Sequence, residues 1–184
     1  MLDNLKKYKV VLASNSPRRK ELLSGLGIDY EVKTLPDIDE SFPGGLSEVE
    51  TATYIARAKA DVYRNIMQPD ELIITADTIV WLDGEVMGKP LDGEDARRML
   101  RALSGKTHQV ITGVCLTTID SQKAFATVTD VTFCHLSEEE IGYYVERYRP
   151  MDKAGSYGIQ EWIGFVGVES ISGSYFNVMG LPIQ

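Results

Sequence analysis

Residues 10–26 read VVLASNSPRRKELLSGL, and three local patterns follow one another in that stretch. Val10–Ala13 is a short apolar run, read as a strand. Ser14, Asn15, Ser16 and Pro17 then turn the chain; Ser16 suits a helix N-cap and Pro17 the first helical position. Leu22, Leu23 and Leu26 give the following helix one apolar face, and Gly27 stops it. A strand, tight turn and helix in this order leave unpaired N–H groups at a positive dipole end, which suits an anion. Arg18 and Arg19 stand at that same end, where a cation opposes the dipole and gains little unless an anion lies between. Guanidinium groups hold phosphate oxygens through two parallel hydrogen bonds. The competing reading is a solvated surface pair.

Working outward, Tyr30–Leu35 reads as a short strand, and Pro36–Gly45 (PDIDESFPGG) as a turn-rich loop with acids at Asp37, Asp39 and Glu40. Ser47 with Glu50 has capping-box spacing, opening a helix to about Met67 with Ala52, Ala56, Ala60 and Tyr63 on its packed face. Lys59 lies beside that stripe, either with its amine in water or pointing into a cleft. Leu72–Ala76 is a compact strand that Asp77 and Thr78 are expected to end, with Ile79–Leu82 continuing as apolar residues. A carboxylate inside LIITADTIVWL is costly if buried without a partner. Asp77 is therefore the acid whose position most needs an explanation: a pair, a metal, or an exposed strand end.

Asp83–Gly84 signals a hairpin, and Pro90 biases Lys89 towards extended backbone. Asp92 starts a helix whose stripe is Ala96, Met99, Leu100 and Leu103, ended by Gly105. His108–Ile119 and Ala124–Phe133 read as antiparallel neighbours joined at Asp120–Ser121, with a slip in the alternation that suggests a bulge. His108 and His135, the two histidines, read as packing residues ahead of chemical ones. Ser137 with Glu140 caps a helix to Tyr148 that carries Ile141, Tyr144, Val145 and Tyr148 on one face. Met151–Gln160 (MDKAGSYGIQ) is either a surface turn or a segment built for close approach to a ligand, in which the Gln160 amide reads a base edge. In the tail, Ile171–Leu181, the residues expected to pack are Tyr175, Phe176, Val178 and Leu181.

The class is α/β with a mixed sheet, since the two hairpins require antiparallel neighbours. At 184 residues the chain makes one domain, or one domain folded as two lobes around a cleft. A net charge of −8 argues against a nucleic-acid polymer as partner but not against a small nucleotide. Cys115 and Cys134 sit in apolar runs and read as thiols rather than a disulfide. Zinc spacing, GxGxxG and a full phosphate-binding loop of the form GxxxxGK[ST] are all missing, which disfavours dinucleotide oxidoreductases and ordinary kinases. Val10–Ala13 is too short for a signal core or a membrane span, so a cytoplasmic protein with no membrane partner is expected.

The chain resembles the Maf family of nucleotide pyrophosphatases. The likeness is carried by LASNSPRRKELL at 12–23, ARAKA at 56–60, TADTIV at 75–80, MGKP at 87–90, LSGKTHQVITGV at 103–114, DKAGSYGIQ at 152–160 and GSYFNVMGLP at 173–182. The resemblance implies a strongly curved mixed sheet with flanking helices, and two lobes around a central cleft. It implies hydrolysis between the α- and β-phosphates of a nucleoside triphosphate, with a divalent metal, Mg²⁺ or Mn²⁺. The KAGSYGIQ version of the glutamine segment resembles that of members preferring dTTP and UTP. Asp77 resembles the family's proton acceptor and metal-site acid, with Glu40 as a second metal ligand. Lys59 and Lys89 resemble the lysines that hold the phosphates; Ser14, Arg18 and Arg19 resemble the phosphate-binding turn; Arg18, Thr78 and Gln160 match positions tied to nucleotide preference. A homodimer is compatible with the resemblance alone. The rival readings are the same chemistry on modified or other nucleotides, and a non-catalytic nucleotide-binding regulator of cell division.

Overall fold

The computed structural model describes residues 3–184. After a 3-10 turn at Asp3–Leu5 come β1 (Lys9–Leu12), α1 (Pro17–Gly25), β2 (Tyr30–Val32), α2 (Glu48–Arg64), β3 (Glu71–Leu82) and β4 (Glu85–Met87). Next are α3 (Gly93–Leu103), β5 (Thr107–Thr117), β6 (Gln122–Phe133) and α4 (Glu138–Tyr148). A 3-10 turn at Ala154–Ser156, α5 (Trp162–Gly167), β7 (Val168–Ser172) and α6 (Tyr175–Met179) complete the chain. The strands form one sheet in the order β2-β1-β3-β5-β6-β7, with β4 on β3. It is mixed, as the hairpins require: β1 runs parallel to β2 and β3, while β3–β4 and β6–β7 are antiparallel.

Local signals placed most of these elements. Ser16 caps α1 by accepting from Arg19 N, and Ser47 and Ser137 both close full capping boxes. The stripes on α2 and α3 are buried at every expected position. The β6–β7 pairing does carry a register shift, but at Thr132/Phe133, with the extra residue on β7, and not at Thr129/Asp130 where the alternation slips.

Four expectations need correction. Strand β3 does not end at Asp77 but runs unbroken to Leu82; the carboxylate is paired from the side, so the strand has no need to stop. Strand β2 ends at Val32 and not at Leu35: Lys33 N still donates to Leu12 O (3.2 Å), but Leu35 N donates to the Tyr63 hydroxyl on α2 (3.0 Å) instead of to a ladder. Leu26 is exposed, leaving Leu22 and Leu23 as the packed face of α1. In the tail Leu181 is buried, but Tyr175 and Phe176 are exposed and the packed positions of α6 are Asn177 and Met179. The short α5, β7 and α6 were not legible at all, since each is too brief to display a period.

The chain divides into two compact units. One comprises the chain up to Asp77, with Thr112–Thr127 and Gly180–Gln184; the other comprises Thr78–Ile111 and Val128–Met179. In the first, Val11, Tyr63, Met67 and Ile73 form a cluster against which Ala13, Leu35 and Ile38 pack. A second cluster there joins Ala56 and Ala60 of α2 to Cys115 of β5. In the second unit, His108, Phe133 and Tyr157 form an edge-to-face aromatic group, and helices α3 and α4 pack against each other. Both cysteines are free thiols, Cys115 buried and Cys134 half-buried.

Candidate active site

Backbone register delivers the side chains of the first unit. Ala13 N donates to Ile74 O (2.9 Å), carrying the β1–β3 pairing one residue past the strand and setting Ser14 at its end. Ser14 is buried, and its hydroxyl accepts from Ser16 N (3.2 Å) and from Arg19 Nη1 (3.3 Å). Arg19 Nε donates to the carbonyl of Gly180 (2.8 Å). The C-terminal tail thus holds the guanidinium against the turn. Burial lowers the Arg19 pKa, Asp77 and Glu40 push it back up, and the neighbouring Arg18 lowers it again. Both arginines and both acids therefore share one electrostatic neighbourhood. This overturns the solvated-pair reading for Arg19.

Helix α2 comes down on the sheet at two points. A Cβ at Gly113 of β5 would lie 2.1 Å from the Ala52 carbonyl oxygen, so only glycine admits the helix backbone there. Thr75 Oγ1 donates to the Ala56 carbonyl (2.7 Å). Asp77 stands two residues beyond Thr75 on the same face of β3, and Lys59 one turn beyond Ala56 on α2. Lys59 Nζ consequently meets Asp77 Oδ1 at 2.6 Å. Both side chains are largely buried, 12% and 14% exposed.

The acidic loop brings a third member. Tyr63 of α2 accepts from Leu35 N and donates to Lys33 O, pinning the start of that loop to the helix. Glu40 Oε1 then reaches Lys59 Nζ at 2.8 Å. Of the other acids in that loop, Asp39 is spent locally: it accepts from both the amide and the hydroxyl of Ser41, which hold its carboxyl below the usual range.

The second unit carries Thr78, Lys89 and Gln160. Thr78 is half-buried on β3, and Lys89 is exposed in the loop after β4. That loop is tied to the glutamine segment by Gly155 N donating to Gly88 O (3.1 Å). Residues 155–159 are all buried, so the segment is not a surface turn. Gln160 Oε1 is itself buried and has no hydrogen-bond partner among the described residues. An orphaned amide acceptor of this kind is costly unless a ligand completes it.

His108 is structural. Its Nε2 is 2.7 Å from the Tyr157 hydroxyl, and burial lowers its pKa to about 4. Sequence reasoning missed Gly180 and Tyr144 as residues of interest: Gly180 acts through its carbonyl on Arg19 and Tyr144 through its hydroxyl on the amide of Gly158, both distant in sequence, a kind of contact that leaves no local pattern.

Asp77 and Glu40 fit a divalent cation in a limited way. They converge from two elements on one ammonium, so a cation is favoured at that place. Among the described residues no group of three or more His, Cys, Asp or Glu converges, so a protein-only cage is not built. Two carboxylates with the remaining positions left to substrate oxygens is a common way of holding Mg²⁺. Among the described residues no helix is long and apolar enough to cross a membrane.

Comparison with known proteins places these features in a wider set. A family model described as Maf-like protein matches residues 9–184. A relative from Phocaeicola vulgatus is 72% identical over 184 residues, covering 100% of this chain and 95% of that protein. One from Bacteroides thetaiotaomicron is 68% identical with the same coverage. One from Porphyromonas gingivalis is 60% identical over 186 residues, covering 100% and 94%. All three are named dTTP/UTP pyrophosphatase.

Proposed function

The chain belongs to the Maf-like protein family, and on that footing we propose that it is a nucleoside triphosphate pyrophosphatase acting on dTTP and UTP in the cytoplasm. Water attacks the α-phosphorus, the bond to the α–β bridging oxygen breaks, and the products are the nucleoside monophosphate and pyrophosphate. The observation that carries this reading is Lys59 held between Asp77 and Glu40 beside the Arg19–Ser14 turn. A pure nucleotide binder has no use for a largely buried acid among its phosphate-holding cations.

Asp77 accepts the proton that the attacking water loses. Arg18, Arg19, Lys59 and Lys89 take up the charge that accumulates on the departing pyrophosphate. Ser14, fixed by Arg19, orients a phosphate oxygen at the turn. Asp77 and Glu40 would hold a divalent cation, Mg²⁺ or Mn²⁺. When bound, that cation supplies neutralisation of the triphosphate and acidifies nearby water. Lys59, now shared between the two acids, is the group freed to meet phosphate as nucleotide arrives.

The base is read by Gln160, with Thr78 and Arg18 contributing. Uracil and thymine present two carbonyl acceptors around one N–H donor. The orphaned Gln160 Oε1 accepts from that N–H, and the amide nitrogen donates to a carbonyl beside it. The test is pyrophosphate release from a panel of canonical and modified nucleoside triphosphates with Mg²⁺, with Mn²⁺ and with chelator. Metal-dependent release favouring dTTP and UTP is expected. Release favouring another base would overturn the specificity, and nucleotide binding without release would favour a regulator.

A further inference from the structure

Gln160 occupies the third position of a tight turn, closed by Glu161 N donating to Gly158 O (3.0 Å). Neither end of that turn holds itself in place. The amide of Gly158 donates to the hydroxyl of Tyr144 on α4 (3.0 Å). The same hydroxyl donates to the Glu161 carboxylate at Oε2. Glu161 Oε1 in turn accepts from Lys153 Nζ (3.1 Å), which also meets Asp152 Oδ1 (2.8 Å). One phenol thus grips the first residue of the turn by its backbone and the last by its side chain.

Three side chains close in on Gly158, leaving little room for a side chain there. A Cβ there would lie 3.0 Å from Glu161 Cδ, 3.0 Å from Lys153 Cε and 3.2 Å from Gln160 Nε2. The Gln160 carboxamide therefore stands beside Gly158, the residue whose amide Tyr144 holds. Tyr144 is completely buried and Lys153 nearly so, which keeps water from replacing either grip. Burial and the Glu161 carboxylate both raise the Tyr144 pKa, so the hydroxyl stays protonated and keeps donating.

Resting on the base-reading role proposed above, we infer that Tyr144 is a positioning residue for nucleotide selection: it sets the carboxamide of Gln160 through Gly158 and Glu161. Tyr144 touches no substrate. Its effect falls on which base edge is accepted, and not on the cleavage of the phosphoanhydride. Uracil and cytosine separate the two effects, because at the same edge cytosine exchanges the carbonyl for an amino donor and the N–H for an acceptor.

The experiment measures steady-state hydrolysis of UTP, CTP, dTTP and GTP by the wild-type chain and by Tyr144→Phe, with thermal melts of both. Phenylalanine keeps the ring and removes only the hydroxyl. The UTP-to-CTP ratio of kcat/KM is expected to fall about three- to tenfold, the worth of one displaced hydrogen bond, with KM for UTP changing more than kcat. If Tyr144→Phe does not fold, Glu161→Gln loosens the far end of the turn and is expected to lower the ratio in the same direction. An unchanged ratio in either folded variant, or an equal loss on all four nucleotides, would overturn the inference and leave Tyr144 a core residue. Failure of the wild-type chain to hydrolyse UTP and dTTP would instead overturn the function on which it rests.

Discussion

Arg19 Nε donates to the carbonyl of Gly180 across 161 positions of sequence, at 2.8 Å. Gly180 adopts φ +118°, a conformation that side chains rarely tolerate. The same guanidinium holds Ser14.

From this follows a pair of variants. A lysine has no planar fork to reach both partners at once, so Arg19→Lys should lower kcat/KM for dTTP by about 10²-fold, as expected when a reacting group is displaced by an ångström. Gly180→Ala should cost about 1–3 kcal/mol of stability through backbone strain and raise KM as the arginine shifts. Wild-type KM values in both would show that the tail's grip on Arg19 has no bearing on phosphate binding.

Asp77→Asn should lower kcat by roughly 10²–10⁴, the usual worth of a positioned proton acceptor. The fold should survive, because Lys59 keeps Glu40 as a partner. Circular dichroism and single-turnover pyrophosphate release test the two halves separately; near-wild-type turnover would remove Asp77 from the base role.

Gln160→Ala should change the ranking of bases more than the rate of cleavage. The dTTP-to-GTP ratio of kcat/KM is the quantity to follow. It is expected to drop by about tenfold or more, since the amide proposed to make two hydrogen bonds to the base is lost. A preserved ratio would assign base reading elsewhere.

Acid stability should depend on His108. Its folded-state pKa of about 4 lies below the unfolded value near 6.5, so the unfolded chain takes up the proton first. The neutral imidazole therefore costs nothing above pH 6.5. Stability falls as pH drops from 6.5 to 4, by up to about 3 kcal/mol, and this contribution is flat below that. His108→Phe should show a shallower decline of melting temperature across that window than the wild-type chain. Parallel slopes would assign the acid sensitivity to other groups.

Much of this protein was written in local sequence. Ser16, Ser47 and Ser137 mark helix starts because a side-chain oxygen meets an amide two or three residues on, and Asp83–Gly84 turns because both adopt positive φ. The α2 and α3 stripes follow from helical periodicity alone. Asp77 stood out because an acid inside an apolar strand demands a partner. The identity of that partner was a matter of tertiary structure. Thr75 bonding to Ala56, and the close approach of α2 at Gly113, decide that Lys59 and not another cation faces Asp77. In the same way only the folded chain sets Glu40 on Lys59, Gly180 on Arg19 and Tyr144 on Gly158 and Glu161. Patterns three or four residues apart are imposed by the backbone geometry of one element and can be read before folding. Contacts between elements depend on register and crossing geometry, which no single element contains.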